Sequence, residues 1–205
     1  MSIDRAFFFD HIREKLFPGG LRQSQIDGHA AILDAWEKDH AGGDDRWLAY
    51  LLATAYHESG HTLQPVRETL ASSDAQAARR LEEAWKAGRM RGVHDPYWRP
   101  DANGDRWFGR GLVQLTFRAN YDTLGRAIGV DLVANPSLAL TMPVAIAVIF
   151  FGMLNGSFTG HRLATYFNRT TADWVNARKI VNGLDRADAI AGYGKNYHAA
   201  LRYGG

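Results

Sequence analysis

The sequence predicts a mainly α-helical domain with a small β element. Most of the chain consists of segments with apolar residues at helical spacing, and only residues 111–117 resemble a β-strand. The sequence contains no repeat of solenoid period and no low-complexity tract. At roughly 150 residues per domain, residues 1–205 are expected to form a single domain.

The first half of the chain carries helix start and stop signals in regular order. Ser2 and Ser24 are the expected N-caps of the first two helices, and Ser24 with Asp27 resembles a capping box. Gly60 lies where a left-handed C-terminal cap is common. The four helices are expected at Ser2 to Leu16, Ser24 to about residue 40, Arg46 to about Glu58, and Asp74 to about Gly88.

The second half opens with a long loop and then returns to helices. Residues 88–111 are rich in glycine, proline, arginine and aromatic residues, a composition typical of a functional loop. The apolar stretch Leu138–Leu154 predicts a buried core helix, with Pro143 in its first turn and Asn155-Gly156 at its end. Further helices are expected at residues 162–167, at residues 173–181 and from Asp185 to about Tyr203.

Composition and apolar patterning exclude several classes of protein. The chain has no cysteine, which excludes a disulfide scaffold, a thiolate zinc site and a cysteine nucleophile. Charges interrupt the apolar N-terminus, so it does not resemble a Sec signal peptide. Leu138–Leu154 is too short to span a bilayer, so no stable membrane insertion is expected. Residues 70–108, approximately, are expected to form a smaller lobe or a loop insertion.

Charge is distributed unevenly along the chain. Residues 1–105 carry 13 Lys/Arg and 17 Asp/Glu, whereas residues 106–205 carry 11 and 5, which gives −4 and +6. A basic second half suits an anionic polymer or envelope surface, although a solvated basic face accounts for these counts equally well. Nucleic acid is not an expected partner, because the chain has no run of Lys/Arg and no recognisable binding motif.

Residues 57–61, HESGH, formally satisfy the HExxH zinc motif. That motif needs both histidines on one face of a continuing helix, with the glutamate activating a zinc-bound water. By spacing, Glu82 or Glu83 suits the role of third ligand. Gly60 argues against the site, because a glycine at this point favours a helix end. A zinc-dependent peptidase or amidase is therefore the least favoured hypothesis.

A second hypothesis pairs Glu58 with Glu68 as general acid and general base. Glu58 is expected at the end of an apolar helix, where apolar neighbours favour a neutral carboxyl group. Glu68 follows Pro65 in a loop, where solvent favours the ionised form. Two carboxyl groups in unequal environments are what glycosidic-bond hydrolysis uses. Taken alone, two glutamates ten residues apart are more often surface charges.

Three motif regions favour the second hypothesis. AYHESGH at residues 55–61, GRGLVQLTFRANY at 109–121 and IVNGLDRADAIAGY at 180–193 resemble, in this order, motifs of glycoside hydrolase family 19. This family comprises chitinases and their phage-endolysin relatives, and the likeness extends over residues 46–200. The resemblance implies an α+β lysozyme-like, mainly α fold, in which two helical lobes and a small β element enclose a central substrate cleft.

The resemblance also implies catalytic roles. Glu58 matches the general acid, and Glu68 is the best match to the general base, with Glu82 and Glu83 left open. Thr116 falls where the family usually has a serine that helps to hold the attacking water. The family mechanism is inverting, which places the two carboxyl groups about 6.5–9.5 Å apart with room for a water.

Further residues are expected to bind substrate. Arg186 aligns with a cleft arginine that interacts with the acidic residues, although it also suits an exposed first helical turn. Trp107 is a candidate aromatic surface for a sugar ring, with core packing as an equal alternative. The complete set of expected substrate-binding residues is His57, Gln114, Asn120, Asn182, Arg186 and Trp107.

The expected function is that of an endolysin-type glycosidase that hydrolyses β-1,4 bonds of bacterial peptidoglycan and causes host cell lysis. The compact single domain, the lack of cysteine and signal peptide, and the resemblance to phage-type members favour this reading. A chitinase acting on β-1,4 N-acetylglucosamine polymers is the alternative. We expect no cofactor or metal, a monomer that binds peptidoglycan or chitin strands, and location in the host cytoplasm until a holin allows release to the cell wall.

Overall fold

A computed structural model describes residues 2–90 and 92–202. The mainly helical fold class predicted from the sequence is confirmed. None of the helices within these two ranges is long and apolar enough to cross a membrane. The α-helices of the described residues are α1 Arg5–Leu16, α2 Gln23–Asp39, α3 Asp45–Glu58, α4 Asp74–Lys86, α5 Arg118–Ile128, α6 Met142–Asn155, α7 Leu163–Tyr166 and α8 Ala187–Ala200.

Two helix starts differ from the prediction. Asp4, not Ser2, caps α1, and its carboxylate accepts a hydrogen bond from the backbone N–H of Phe7 at 3.0 Å. Helix α2 begins one residue before Ser24, where the Gln25 side chain accepts a hydrogen bond from the backbone N–H of Arg22. Several polar residues near each start are able to cap, and the sequence pattern does not choose among them. At the other end of the chain, Tyr203 lies outside the described residues.

Helices α3 and α6 form the centre of the main core. Every residue of α3 from Leu48 to Tyr56 is buried, and the helix packs mainly against α8 and also against α6. As predicted, Pro143 lies in the first turn of α6, and the helix ends at Gly156, which has a left-handed φ of 78°. Helix α6 is apolar around its whole circumference, with seven residues buried and others, such as Ala147 and Phe151, partly exposed.

The β element is shorter than predicted. Strands β1 (Val66–Arg67) and β2 (Arg110–Gly111) form one antiparallel pair. Residues 111–117, predicted as a strand, instead turn back so that Leu115 pairs with Arg110, and Gln114 has a positive φ of 54°. Leu112, Val113 and Leu115 of this run are buried in a tight turn, so the apolar pattern indicates burial and not an extended strand.

A second, smaller core lies between residues 71 and 108, a segment we name the small lobe. It contains α4 and the loop that follows it. Buried Trp98 and Phe108 dominate this core, and Trp85 and Tyr97 pack against it as partly buried rings. The buried members are Ala71, Ala77, Leu81, Trp98 and Phe108.

His29 in α2 is a buried titratable group of the main core. Its Nδ1 lies 2.7 Å from the carbonyl oxygen of Gln25, and its Nε2 lies 2.9 Å from the hydroxyl of Tyr197. Burial lowers the pKa of His29 from 6.5 to about 4, although the hydrogen bond with Gln25 opposes the shift. Below pH 6.5 the unfolded chain therefore takes up a proton that the folded protein does not.

We expect the contribution of His29 to the free energy of unfolding to be fully present above pH 6.5 and to decrease as the pH falls towards 4. For one proton the slope is about 1.4 kcal/mol per pH unit. Thermal unfolding measured between pH 7.5 and 4.5 checks this, and His29→Gln should flatten the dependence by the contribution of one proton. The exposed His94 provides the control, since His94→Gln should keep the slope of the parent protein. Equal slopes in the parent and in His29→Gln would contradict the assignment.

Candidate active site

Glu58 is the last residue of α3, where a glycine cap ends the helix. The N–H of Gly60 donates to the carbonyl oxygen of His57 at 3.1 Å, and the N–H of His61 donates to that of Tyr56 at 2.8 Å. Gly60 has a φ of 61°, the left-handed conformation of a Schellman cap. The cap predicted from the sequence therefore forms, and it places the Glu58 carboxyl group at a helix end.

This helix end separates the two histidines of the HESGH motif. His61 lies beyond the helix with a φ of 67°, and its ring stacks on Tyr56 at a centroid distance of 4.0 Å. Among residues 2–90 and 92–202, no group of three or more His, Asp or Glu side chains is arranged to hold a metal ion. The HExxH geometry needs a continuing helix, so these residues do not form that zinc site.

Glu82 and Glu83 belong to the small lobe. Glu82 accepts hydrogen bonds from Arg99 at 2.9 and 3.0 Å and from the indole N–H of Trp98 at 2.9 Å. The bonds from Arg99 and then Trp98 lower the pKa of Glu82 to about 2. Glu83 is exposed and lies 3.8 Å from Arg79. Neither carboxylate lines the pocket that contains Glu58, and Glu68 therefore stays the preferred candidate for the base.

The Glu58 carboxylate pairs with Arg178 from the short helical turn Asn176–Ile180. Nη1 of Arg178 lies 2.6 Å from Oε1 of Glu58, and the two side chains are 4% and 16% exposed. Nε of Arg178 donates to the carbonyl oxygen of Asp185 at 3.2 Å, which fixes the guanidinium. A buried guanidinium with a charged partner and a backbone acceptor holds that carboxyl group in one orientation.

Arg186, which the resemblance aligned with this role, is not the arginine that pairs with Glu58 in the structure. Arg186 is exposed and precedes α8 with a φ of 58°, and the described hydrogen bonds and ion pairs connect it to neither Glu58 nor Glu68. The buried arginine lies eight residues earlier, inside the apolar segment WVNARKIV. An arginine in an apolar run needs a charged partner when it is buried, and that pattern was the available sequence signal for Arg178.

Glu68 directly follows β1 and extends its pairing with the segment around β2. Its N–H donates to the carbonyl oxygen of Gly109 at 2.7 Å, and the N–H of Gly109 donates to Oε2 of Glu68 at 2.7 Å. The hydroxyl of Tyr97 donates to Oε1 at 2.8 Å. One donor therefore holds each carboxylate oxygen of Glu68.

Asp74, the first residue of α4, fixes both strands beside Glu68. Its carboxylate accepts hydrogen bonds from Arg67 at 2.5 Å and from Arg110 at 2.8 Å. Burial opposes ionisation of Asp74, but the bonds from Arg67 and Arg110 outweigh it and hold the pKa below its usual range. The guanidinium of Arg110 is buried and lies 3.9 Å from the ring centroid of Phe108. Because Arg67 precedes Glu68 and Arg110 follows Gly109, this clamp fixes the backbone that carries the carboxylate.

Glu58 lines an open pocket of about 210 Å³ with residues on either side of Glu68. Gln114 lines the same pocket, and its amide donates to the carbonyl oxygen of Val66 at 3.3 Å. Burial lowers the pKa of His57, while the Glu58 charge opposes the shift. The lining residues are His57, Glu58, Gly60, Arg67, Thr69, Leu70 and Gln114.

Three predicted site residues are engaged in local hydrogen bonds. The hydroxyl of Thr116 donates to the carbonyl oxygen of Gln114 at 2.8 Å, and the amide of Asn120 donates to that of Thr116 at 2.8 Å. Both bonds stabilise the turn after β2. Asn182 is exposed and accepts a hydrogen bond from the N–H of Gly183. Contacts of Thr116, Asn120 and Asn182 with water or sugar stay predictions.

Trp107 was predicted either to face a sugar ring or to pack in the core, and in the structure it packs in the core. Trp107 is 6% exposed, packs against Tyr121 at a centroid distance of 5.3 Å, and donates from its indole N–H to Asp101. The exposed ring near Glu68 is instead Phe117, which is 43% exposed and contacts Tyr97 edge-on at 4.8 Å. Phe117 has a positive φ of 69°, a strained backbone that is rare for a bulky residue.

The chain is similar in sequence to known chitinases. A glycoside hydrolase family 19 model described as chitinase class I matches residues 82–178. Chitinase 2 of Oryza sativa subsp. japonica is 54% identical over 46 residues, which is 22% of this chain and 13% of that protein. Endochitinase 1 of Theobroma cacao is 55% identical over 49 residues, 24% of this chain and 15% of that protein. The matched segments thus span a small part of these relatives.

The fold has a counterpart among solved structures. The crystal structure of a bacterial family 19 chitinase matches 100% of this chain and 98% of its own chain, with 21% identity and a TM-score of 0.53. The helical fold with its small β element thus matches the lysozyme-like fold of that chitinase. The resemblance to family 19 chitinases that the motifs predict is thus confirmed.

Proposed function

We propose that this protein is an inverting glycosidase that hydrolyses β-1,4 bonds in polymers of N-acetylglucosamine. The observation that carries the proposal is the pocket that brings Glu58, at the end of α3, together with the turn that presents Glu68. The relatives matched by sequence are named chitinases, which supports a chitin-type polymer as the first substrate.

Each glutamate has one step in this mechanism. Glu58 donates its proton to the glycosidic oxygen as the bond from that oxygen to the anomeric carbon breaks. Glu68 takes a proton from a water that attacks the anomeric carbon from the opposite face, so the new reducing end is inverted.

Other residues suit substrate binding. Gln114 presents an amide group to the pocket, and the exposed ring of Phe117 offers the aromatic surface that was predicted at Trp107. His57 lies beside Glu58 in the pocket lining. We assign these three residues to contacts with the sugar chain.

Peptidoglycan is the second candidate substrate, and the charge distribution favours it. Residues 106–205 carry 11 Lys/Arg against 5 Asp/Glu, which suits an anionic cell envelope. If peptidoglycan is the substrate, the protein is an endolysin that stays in the host cytoplasm and reaches the cell wall after a holin opens the membrane. Both polymers contain β-1,4 bonds next to N-acetylglucosamine, so the same two glutamates serve either substrate.

Digestion of defined substrates tests the proposal. Purified protein is incubated with chitin oligosaccharides and with purified peptidoglycan, with and without EDTA, and reducing ends and new amino groups are read separately. We expect reducing ends that are insensitive to EDTA and that form first as the α-anomer by NMR, with Glu58→Gln as the inactive control. Folded protein that releases no reducing ends from either polymer would refute the proposal. New amino groups that vanish with EDTA would indicate a metallopeptidase or amidase.

Gly109→Ala is expected to lower kcat roughly 10- to 100-fold without unfolding the protein, because small displacements of catalytic groups are costly. A Cβ at this position would lie 2.7 Å from Oε1 of Gln114 and 3.3 Å from Oε2 of Glu68. Gly109 is not among the glycines with a positive φ, so the backbone accepts alanine. Hydrolysis rates and thermal unfolding are measured beside Gly192→Ala, whose Cβ meets open space. Equal rates in the two variants would show that Gly109 is not needed for the site.

A further inference from the structure

We infer that Tyr97 of the small lobe is a positioning residue that sets the orientation and basicity of Glu68. The inference rests on the proposed function, in which Glu68 is the general base. The hydroxyl of Tyr97 lies 2.8 Å from Oε1 of Glu68, and the N–H of Gly109 lies 2.7 Å from Oε2. Each oxygen of Glu68 therefore has one donor and keeps a lone pair with which to accept a proton from water.

Aromatic contacts on two sides restrict the Tyr97 ring. Trp98 meets it edge-on at 5.1 Å, and Phe117 meets it edge-on at 4.8 Å. The ring also packs against the small-lobe core. Because the ring has little freedom to rotate or withdraw, its hydroxyl is held at the Glu68 carboxylate before any substrate arrives.

Backbone hydrogen bonds hold the segment of Tyr97 against the turn after β2. The N–H of Trp107 donates to the carbonyl oxygen of Tyr97 at 3.0 Å, and the N–H of Phe117 donates to that of Trp107 at 2.8 Å. The backbone around the buried Trp107 therefore lies between the backbone around Tyr97 and the backbone around Phe117. The position of the Tyr97 hydroxyl therefore depends on how the small lobe packs against the rest of the protein.

The phenol of Tyr97 remains a donor over the whole range in which a carboxylate titrates. Burial, and then the charge of Glu68, raise the pKa of Tyr97 well above its ordinary value of 10. A hydrogen bond to the charged form of a carboxyl group favours that form. Other titratable or charged groups around Glu68 are Arg67 beside it, Asp74 and Arg80 on α4, Arg110 and Tyr121 behind the strands, and His57, Glu58 and Arg178 around the pocket.

Tyr97→Phe removes the hydroxyl and keeps the ring, and it leaves those other groups in place. We expect the acidic limb of the kcat/KM profile to move to higher pH, because the carboxylate loses a donor. The plateau kcat should fall roughly tenfold because Glu68 is less well oriented, and KM should change less than about twofold. Tyr166→Phe is the matched control, because its hydroxyl also bonds a titratable side chain, that of His161, at 3.0 Å. This control should leave the acidic limb unchanged.

An NMR titration tests the inference by a measurement that does not depend on enzymatic activity. The carboxyl carbon of Glu68 is titrated by ¹³C NMR in the parent protein and in Tyr97→Phe, and its midpoint should rise in the variant. An unchanged midpoint together with an unchanged acidic limb would overturn the inference, and a lower Tm alone would show only a structural role. Should Tyr97→Phe fail to fold, the ¹³C chemical shift of Tyr97 Cζ is followed in the parent protein instead. The inference requires this chemical shift to change at the pH at which Glu68 titrates.

These readouts separate the inference from the proposed function. If the parent protein hydrolyses neither chitin oligosaccharides nor peptidoglycan, the proposed function fails. The NMR titration still shows in that case whether Tyr97 controls the ionisation of Glu68. If hydrolysis depends on Glu68 but the midpoint of the Glu68 titration is the same in the parent protein and in Tyr97→Phe, the proposed function stands and the role of Tyr97 is refuted.

Discussion

Replacing Glu58 by glutamine is expected to reduce hydrolysis by about 10⁴-fold, the upper end of the range for loss of general acid–base catalysis. The amide has nearly the shape of the carboxyl group but has no acidic proton to give to the glycosidic oxygen. The glutamine oxygen is still able to accept the hydrogen bond that Arg178 donates to Glu58 in the parent protein. The acceptor is retained but the buried Arg178 loses its charged partner, so the fold is expected to survive at a cost of about 3 kcal/mol.

Release of reducing ends and thermal unfolding are measured together on Glu58→Gln. Glu83→Gln is the matched control, because Glu83 lies exposed on α4 with only a 3.8 Å approach to Arg79. We expect the control to hydrolyse at the parental rate. A rate for folded Glu58→Gln above one tenth of the parental rate would remove Glu58 from the role of general acid.

The features of the site that the sequence predicts are those set by local residues. Gly60 ends α3 directly after Glu58, and Gly156 ends the helix that Pro143 opens, because these residues fix the backbone by their own geometry. The GRG motif also reflects local packing, because a Cβ at Gly109 would crowd the side chains of Gln114 and Glu68.

The features that the sequence does not predict depend on contacts between distant residues. Arg178 reaches Glu58 across 120 positions of the chain, and Tyr97 reaches Glu68 across 29. Trp107 and Phe117 are both aromatic residues near the same turn, and only their packing decides which is buried and which is exposed. Periodicity is equally unable to separate a strand from a buried turn, as residues 111–117 show.

The role of Glu68 is best tested by replacing its side chain and supplying a nucleophile that needs no base. Glu68→Ala is expected to lose about 10²–10⁴-fold in rate, because no group is left to take the proton from water. Azide is already an anion, and the shortened side chain leaves space for it near the anomeric carbon. Azide should therefore restore bond cleavage, with Glu58 still donating its proton to the leaving oxygen.

The product of this rescue reports the geometry of the site. Attack from the face opposite the leaving group gives an α-glycosyl azide from a β-linked substrate, which NMR and mass spectrometry identify. Glu82→Gln tests the competing base and should keep the parental rate, since the Glu82 carboxylate is held by Arg99 and Trp98 in the small lobe. A β-azide would mean that the azide enters from the face of the leaving group, which an inverting site does not allow. A loss in Glu82→Gln, with Glu68→Ala near the parental rate, would move the base to α4 and leave the donors at Glu68 without a catalytic role.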